Sequence, residues 1–132
     1  MARVITLDAG VLIAMLDGSD AHHEWATRLL IDHTEAQFVM SALTYAECLV
    51  RPAQAGVVQR FLDGIHGLDI DVVEVTETGA LHLAQVRADT KLRMPDAAII
   101  ATALARASAV ATTDRAVAEA ARGQGLTVFG PR

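Results

Sequence analysis

Short apolar stretches alternate along the chain with segments whose apolar positions recur every three or four residues, and this alternation sets the first expectations. Val4-Ile5-Thr6-Leu7 reads as a short strand that stops at Asp8-Ala9-Gly10. The apolar run resumes at once from Val11 to Leu16, too soon for a second strand without a turn, so it is expected to be helical. Asp20 is placed to cap a helix from about Ala21 to His33, on which Trp25 and Leu29 lie four apart and Ala26 and Leu30 extend the stripe. A strand at Phe38-Val39-Met40 follows. Ser41 then starts a helix carrying Leu43, Ala46, Glu47 and Val50, which Pro52 is expected to end.

The second half repeats the alternation. Ala53 to Ile65 reads as a helix and Ile70 to Val75 as a strand, and Thr76 caps a helix to about Thr90. Pro95 suits the first turn of a helix continuing through Ile99, Ile100 and Leu104. A strand at Val110-Ala111-Thr112 leads to Asp114 and an Ala-rich helix to about Arg122; Gly123 and Gly125 punctuate its end, and Leu126 to Phe129 supplies a last strand. Strands rich in Val and Ile, separated by helices, imply an α/β fold: a three-layer sandwich whose mostly parallel sheet of four or five strands is covered on both faces. In such sheets ligands gather beyond the carboxyl ends of the strands, near the point where strand order reverses. Asp8 and Asp114 both follow strands directly, so the fold is expected to bring them to one edge.

Composition narrows the class. The 132 residues, 52% of them hydrophobic, are enough for one domain spanning 1–132 with its own core. No apolar run approaches the length of a bilayer crossing. The start Met1-Ala2-Arg3 lacks the apolar region of a secretory signal, and the single Cys48 excludes an internal disulfide, so a reduced, cytoplasmic setting is expected. Cys48 itself, in an apolar helical stretch, reads as a small buried hydrophobe. A formal net charge of −5 argues against broad electrostatic attraction to a polyanion. An enzyme whose bound cations reverse the local sign escapes that argument, whereas a histone-like binder does not.

Most of the sixteen acids sit among polar neighbours, but four keep apolar company. Asp8 lies between Val4-Ile5-Thr6-Leu7 and Val11-Leu12-Ile13, and Glu47 within Leu43 to Val50. Asp96 precedes Ala97-Ala98-Ile99-Ile100, and Asp114 follows Ala109-Val110-Ala111. A carboxylate beside a core is uncommon unless it is paired, hydrogen-bonded or metal-bound, because losing its hydration costs several kcal/mol. Each has a structural explanation: Asp96 as a first-turn acid, Asp8 and Asp114 as turn residues bonded to the following backbone, Glu47 as half of a long-range ion pair with Arg87, Arg93, Arg106 or Arg115. Together they favour a divalent cation, which offsets the repulsion among carboxylates at one edge. An all-oxygen donor set suits Mg²⁺ or Mn²⁺ better than zinc.

These four segments, in their order and spacing, resemble the motifs of the PIN-domain nucleases: Val4 to Asp8 with Val11-Leu12-Ile13-Ala14, Ser41 to Glu47, Pro95 to Ala101, and Ala111-Thr112-Thr113-Asp114-Arg115. Over nearly the whole length the chain looks like a VapC-type toxin ribonuclease of a type II toxin–antitoxin pair. The resemblance implies that Asp8, Glu47, Asp96 and Asp114 surround one or two Mg²⁺ or Mn²⁺ ions and cleave RNA. Asp8 and Asp96 are then the leading ligands, Asp114 completes the group directly or through water, and Glu47 holds a second ion or orients the attacking water. It further implies a homodimer inhibited by a small antitoxin, whose arginine-bearing tail covers the acidic groove. Where members commonly carry a small polar residue two positions after the first acid, this chain has Gly10; Thr113 is the expected supporting hydroxyl. Arg51, Arg60, Arg87, Lys91, Arg93 and Arg115 are candidates for a basic rim.

Two other readings stay open at this point. Asp8 could be the nucleophile of an aspartyl-phosphate phosphotransferase, although Asp8-Ala9-Gly10 has no second acid nearby and no lysine occurs before Lys91. Or the chain could be a non-catalytic module whose acidic groove captures an arginine-bearing peptide.

Overall fold

The computed structural model describes residues 3–132; Met1 and Ala2, on which the reading of the chain start rests, lie outside the described residues. Five strands, β1 (Val4–Leu7), β2 (Gln37–Ser41), β3 (Asp71–Val73), β4 (Ala109–Ala111) and β5 (Val128–Phe129), form one sheet in the order β3-β2-β1-β4-β5. Every pairing is parallel, with Thr6 opposite Val39 on one side and Val110 on the other. The chain builds outward from β1 through β2 to β3, then returns to add β4 on the opposite side of β1. Strand order therefore reverses between β1 and β4.

The three-layer expectation holds. Ile5 and Leu7, Phe38 and Met40, and Ala109 and Ala111 point to one face, as the two-residue repeat of a strand requires. There they pack with α1 (Ala9–Leu16), α2 (His23–Asp32), Cys48 of α3 (Ala42–Gln54) and Ile65 of α4 (Val58–His66). On the opposite face Val110 meets α5 (Glu77–Thr90), α6 (Met94–Ala105) and α7 (Arg115–Gly123) through Leu83, Val86, Ile99, Ile100 and Val117. Thr6, which faces this second layer, is fully buried and spends its hydroxyl on that of Ser108 at 2.6 Å. Small side chains at Ala97, Ala98, Ala101 and Ala103 let α6 lie close against the sheet.

Several boundaries follow the capping chemistry. Ser41 Oγ accepts from the Leu43 amide at 3.2 Å, and Thr76 Oγ1 from the Gly79 amide at 3.0 Å. Pro95 lies in the first turn of α6, where its missing N–H has no bond to lose.

Four expectations need correction. The helix after Asp20 starts at His23, because Asp20 Oδ1 accepts from the His22 amide at 2.8 Å and closes a turn ahead of the helix. α3 runs through Pro52 to Gln54, since a proline in the last turn removes one bond near an end that frays in any case. The break falls instead at Gly56, whose φ of +71° the lack of a Cβ permits, so α4 begins at Val58 and not at Ala53. β3 is an edge strand of three residues, shorter than the run Ile70 to Val75.

Candidate active site

Strand order reverses between β1 and β4, and Asp8 stands directly beyond the carboxyl end of β1, the place where ligands of such sheets gather. Its amide donates to the Ala111 carbonyl at 3.0 Å, which prolongs the β1–β4 ladder by one residue. Its own carbonyl accepts from Val11 and Leu12 at 3.1 and 3.3 Å and so opens α1. The backbone is thus fixed on both sides of the turn. The carboxylate makes no well-formed capping bond to α1, although the Ala9 amide lies near enough to favour its charge, and the residue is only 8% exposed.

What holds that carboxylate is Thr112. Its buried hydroxyl donates to Asp8 Oδ2 at 2.5 Å, a distance typical of a charge-assisted O–H···O⁻ bond. The same Thr112 oxygen accepts from the Asp114 amide at 3.0 Å. One side chain at the end of β4 therefore orients Asp8 and folds the turn that leads into Asp114. Thr112 was not singled out by the sequence reading, which favoured its neighbour. The available signal was positional: a Thr two residues before an acid that precedes a helix can close a local turn with its hydroxyl. Thr113 Oγ1 lies 3.0 Å from where a Cβ on Gly10 would sit, so the absent side chain at position 10 and the Thr113 hydroxyl share one space.

Asp114 and Asp96 reach the same neighbourhood from other elements. Asp114 is the N-cap of α7, its Oδ1 accepting from Ala116 and Val117 at 2.8 and 3.2 Å, which leaves the exposed Oδ2 without a hydrogen bond. Asp96 occupies the first turn of α6 with its side chain 15% exposed, and Arg93 Nε approaches its Oδ2 at 3.6 Å. Asp114 and Asp96 both lie close enough for their charges to act on Asp8. Burial, first, and then the charges of Asp96 and Asp114 push the Asp8 carboxyl above its ordinary value, against the opposing pull of the Thr112 hydroxyl and the Ala9 amide.

Glu47 is placed differently from the other three. It is exposed on α3, and among the described residues it forms none of the ion pairs that would explain it structurally. It lines a groove of about 950 Å³ between α1, α3 and α4, together with Ile13, Leu16, Val50, Arg51 and Phe61. The residue after Glu47, Cys48, directs its thiol to the Ala9 carbonyl at 3.9 Å, one residue beyond Asp8. That thiol is buried, and burial followed by the Glu47 and Asp8 charges pushes it up to about 12. One turn before Glu47 the Thr44 hydroxyl is buried without a hydrogen-bond partner.

Among the described residues no three acid, imidazole or thiol side chains converge closely enough to enclose an ion. The donor chemistry still suits a hard divalent cation. The groups are all oxygen, burial and then neighbouring negative charge disfavour the bare Asp8 carboxylate, and Asp114 Oδ2 has no bond among the described residues.

Comparison with known proteins decides the family, since the PIN-domain family model matches residues 5–123. The chain belongs to the PIN-domain family. This PIN domain is also similar to solved structures over nearly its full length. FitAcB from Neisseria gonorrhoeae is 25% identical, with 95% of this chain and 96% of that chain covered and a TM-score of 0.71. A chain of a toxin–antitoxin complex from Klebsiella pneumoniae is 23% identical over 83% of this chain and 86% of its own, with a TM-score of 0.70. The Mycobacterium tuberculosis toxin VapC20, described as cleaving the sarcin-ricin loop, is 17% identical over 88% and 94%, with a TM-score of 0.72. The comparison with curated proteins returned no significant match.

The Thr112 bond supplies a direct test of the site's construction. Thr112→Val keeps the shape but removes the donor to Asp8 and the acceptor for the Asp114 amide, so metal-free stability at neutral pH should fall by about 1.5–3 kcal/mol. Urea unfolding measures this, and Thr112→Ser should recover most of the loss. A Val variant as stable as wild type would mean that the hydroxyl does not support Asp8.

Proposed function

We propose that this PIN domain is a metal-dependent endoribonuclease and the toxin of a toxin–antitoxin pair. The observation that carries the reading is the environment of Asp8 beyond the carboxyl ends of β1 and β4. There a carboxylate held by a threonine hydroxyl is raised first by burial and then by the charges of two further acids from separate elements. Such an arrangement costs stability unless positive charge enters it. The toxin names attached to structures of the same fold point the same way.

Asp8, Asp96 and Asp114 would hold Mg²⁺ or Mn²⁺, and Glu47 would take a second ion or orient water. Such an ion supplies charge neutralisation at the phosphate and activation of water. The chain's own contribution is placement. Thr112 fixes which oxygen of Asp8 faces the site; the α7 cap leaves one oxygen of Asp114 free; the rigid first turn of α6 presents Asp96. No histidine is needed for acid–base work.

The proposed partners follow from the surface. The groove beside Glu47 is lined by Ile13 and by Val50, which is 52% exposed, and suits an antitoxin segment whose arginine reaches the acids. Ile31, 56% exposed, and Leu81, 63% exposed, leave apolar surface for a homodimer. Among the described residues no helix is long and apolar enough to cross a membrane. A cytoplasmic setting is proposed on the single Cys48, which suits a reducing compartment.

Asp96→Asn tests the reading. Asn removes one charge and keeps the shape, and it serves well near a helix start, so a purely structural Asp96 would tolerate it. At a hundredfold excess over its Kd, metal should stabilise the wild type by about 2.7 kcal/mol, and Asp96→Asn much less, with loss of RNA cleavage. Thermal melts in chelator and in Mn²⁺, beside cleavage of a mixed RNA pool, provide the readout. Equal stabilisation and undiminished cleavage would remove Asp96 from the site.

A further inference from the structure

The connection between α5 and α6 places a cation where local helix energetics disfavours one. Arg93 is the N-cap of α6 and makes no side-chain capping bond. The free N–H groups make that end of a helix positive, so Ser, Thr, Asp or Asn is the usual occupant and a guanidinium gains nothing from the backbone. Among the described residues its one ionic partner is Asp96, at 3.6 Å from Arg93 Nε. Among the described residues, no other arginine or lysine comes within ion-pair distance of Asp8, Glu47, Asp96 or Asp114.

The two ends of this pair differ sharply. The Asp96 side chain is 15% exposed and set by the first turn of α6, whereas that of Arg93 is 76% exposed. The arginine is therefore anchored only through its acid, and the rest of its length is free to swing in solvent. Pairs of this kind contribute at most about 1 kcal/mol, so a stronger competitor for Asp96 displaces the guanidinium easily. Once displaced it remains at the rim of the site with its planar donors unspent, and those donors match the paired oxygens of a phosphodiester.

We propose that Arg93 is a positioning residue that exchanges partners, neutralising Asp96 in the metal-free protein and gripping an RNA phosphate once a divalent cation has taken Asp96. This rests on the nuclease reading above. It explains why a cation occupies a helix N-cap. It also makes metal loading and substrate grip cooperative, because the ion that claims the acid releases the arginine.

The experiment compares wild type, Arg93→Gln and Arg93→Lys in two assays. Calorimetric titration with Mn²⁺ alone, without RNA, should show Arg93→Gln binding the ion roughly two- to fivefold more tightly than wild type, since a competitor for Asp96 is gone. Steady-state cleavage of a single-stranded RNA at saturating Mn²⁺ should show a higher KM with kcat little changed. Loss of one phosphate contact should also make the dependence of log KM on log salt shallower by about 0.7. Arg93→Lys should keep the salt slope of wild type. Unchanged Mn²⁺ affinity in Arg93→Gln, or tighter Mn²⁺ with an unchanged salt slope, overturns the exchange while wild-type cleavage leaves the nuclease reading standing. A wild type that neither binds Mn²⁺ nor cleaves RNA removes both.

Discussion

Asp8→Asn should lower metal-dependent RNA cleavage by roughly a hundredfold or more, about 3 kcal/mol of transition-state stabilisation, while making the metal-free protein more stable at neutral pH. The opposite signs come from one cause. Burial and the charges of Asp96 and Asp114 raise the Asp8 carboxyl, so the folded protein holds its proton to a higher pH than the unfolded chain, where the ordinary value is 3.8. Between those two values the folded state binds more protons, and stability therefore falls as pH rises through that window. Asn carries no charge to be disfavoured, and its carbonyl still accepts from Thr112. The stability advantage of Asp8→Asn should thus be present at neutral pH and vanish as pH approaches 3.8, as urea unfolding in chelator across that range would show. A variant less stable than wild type at pH 7 would mean that the Asp8 charge is already compensated within the protein.

The largest effect on folding is expected at Leu12. It is fully buried in the layer beneath the site, and its amide closes the first turn of α1 on the Asp8 carbonyl. Leu12→Ala should cost about 2.7–5 kcal/mol, a large share of the roughly 5–15 kcal/mol that holds a domain folded. By contrast Val50→Ala, at a side chain 52% exposed, should change stability by no more than about 0.5 kcal/mol. Denaturant midpoints with unchanged slopes measure both. A Leu12→Ala cost under about 1 kcal/mol would mean that the cavity collapses at little expense.

Much of the fold was legible because its signals are local. The strand at Val4 to Leu7, the caps at Ser41 and Thr76 and the proline at the start of α6 each depend on a few adjacent residues. Pro52 was misread because its cost depends on how many helical bonds remain beyond it, a quantity set by Gly56 further along. The candidate site was legible in its acids and not in its supports. An acid in apolar company is visible from its neighbours, and that criterion found Asp8. It exaggerated the burial of Glu47 and Asp114, both of which are exposed, because apolar neighbours in a helix or at a strand end can face away from the acid they flank. Thr112 was missed for a different reason. Its importance comes from the register of β4 against β1, which puts it beside a residue 104 positions away, and no local pattern encodes that pairing.

That separation gives the site a place in time. In a chain made from its N-terminus, β1, β2 and β3 can pair and gather their helices while β4 does not yet exist. Asp8 at that stage has neither the Thr112 hydroxyl nor the Asp114 charge beside it. Only when β4 enters on the vacant side of β1 do the turn, the cap of α7 and the surroundings of Asp8 form together. A chain stopped or cut anywhere before Ala109 carries its first acid without the strand beside it. The nuclease activity proposed above would then be among the last properties the molecule acquires during synthesis, and a cell would be spared it from every unfinished copy.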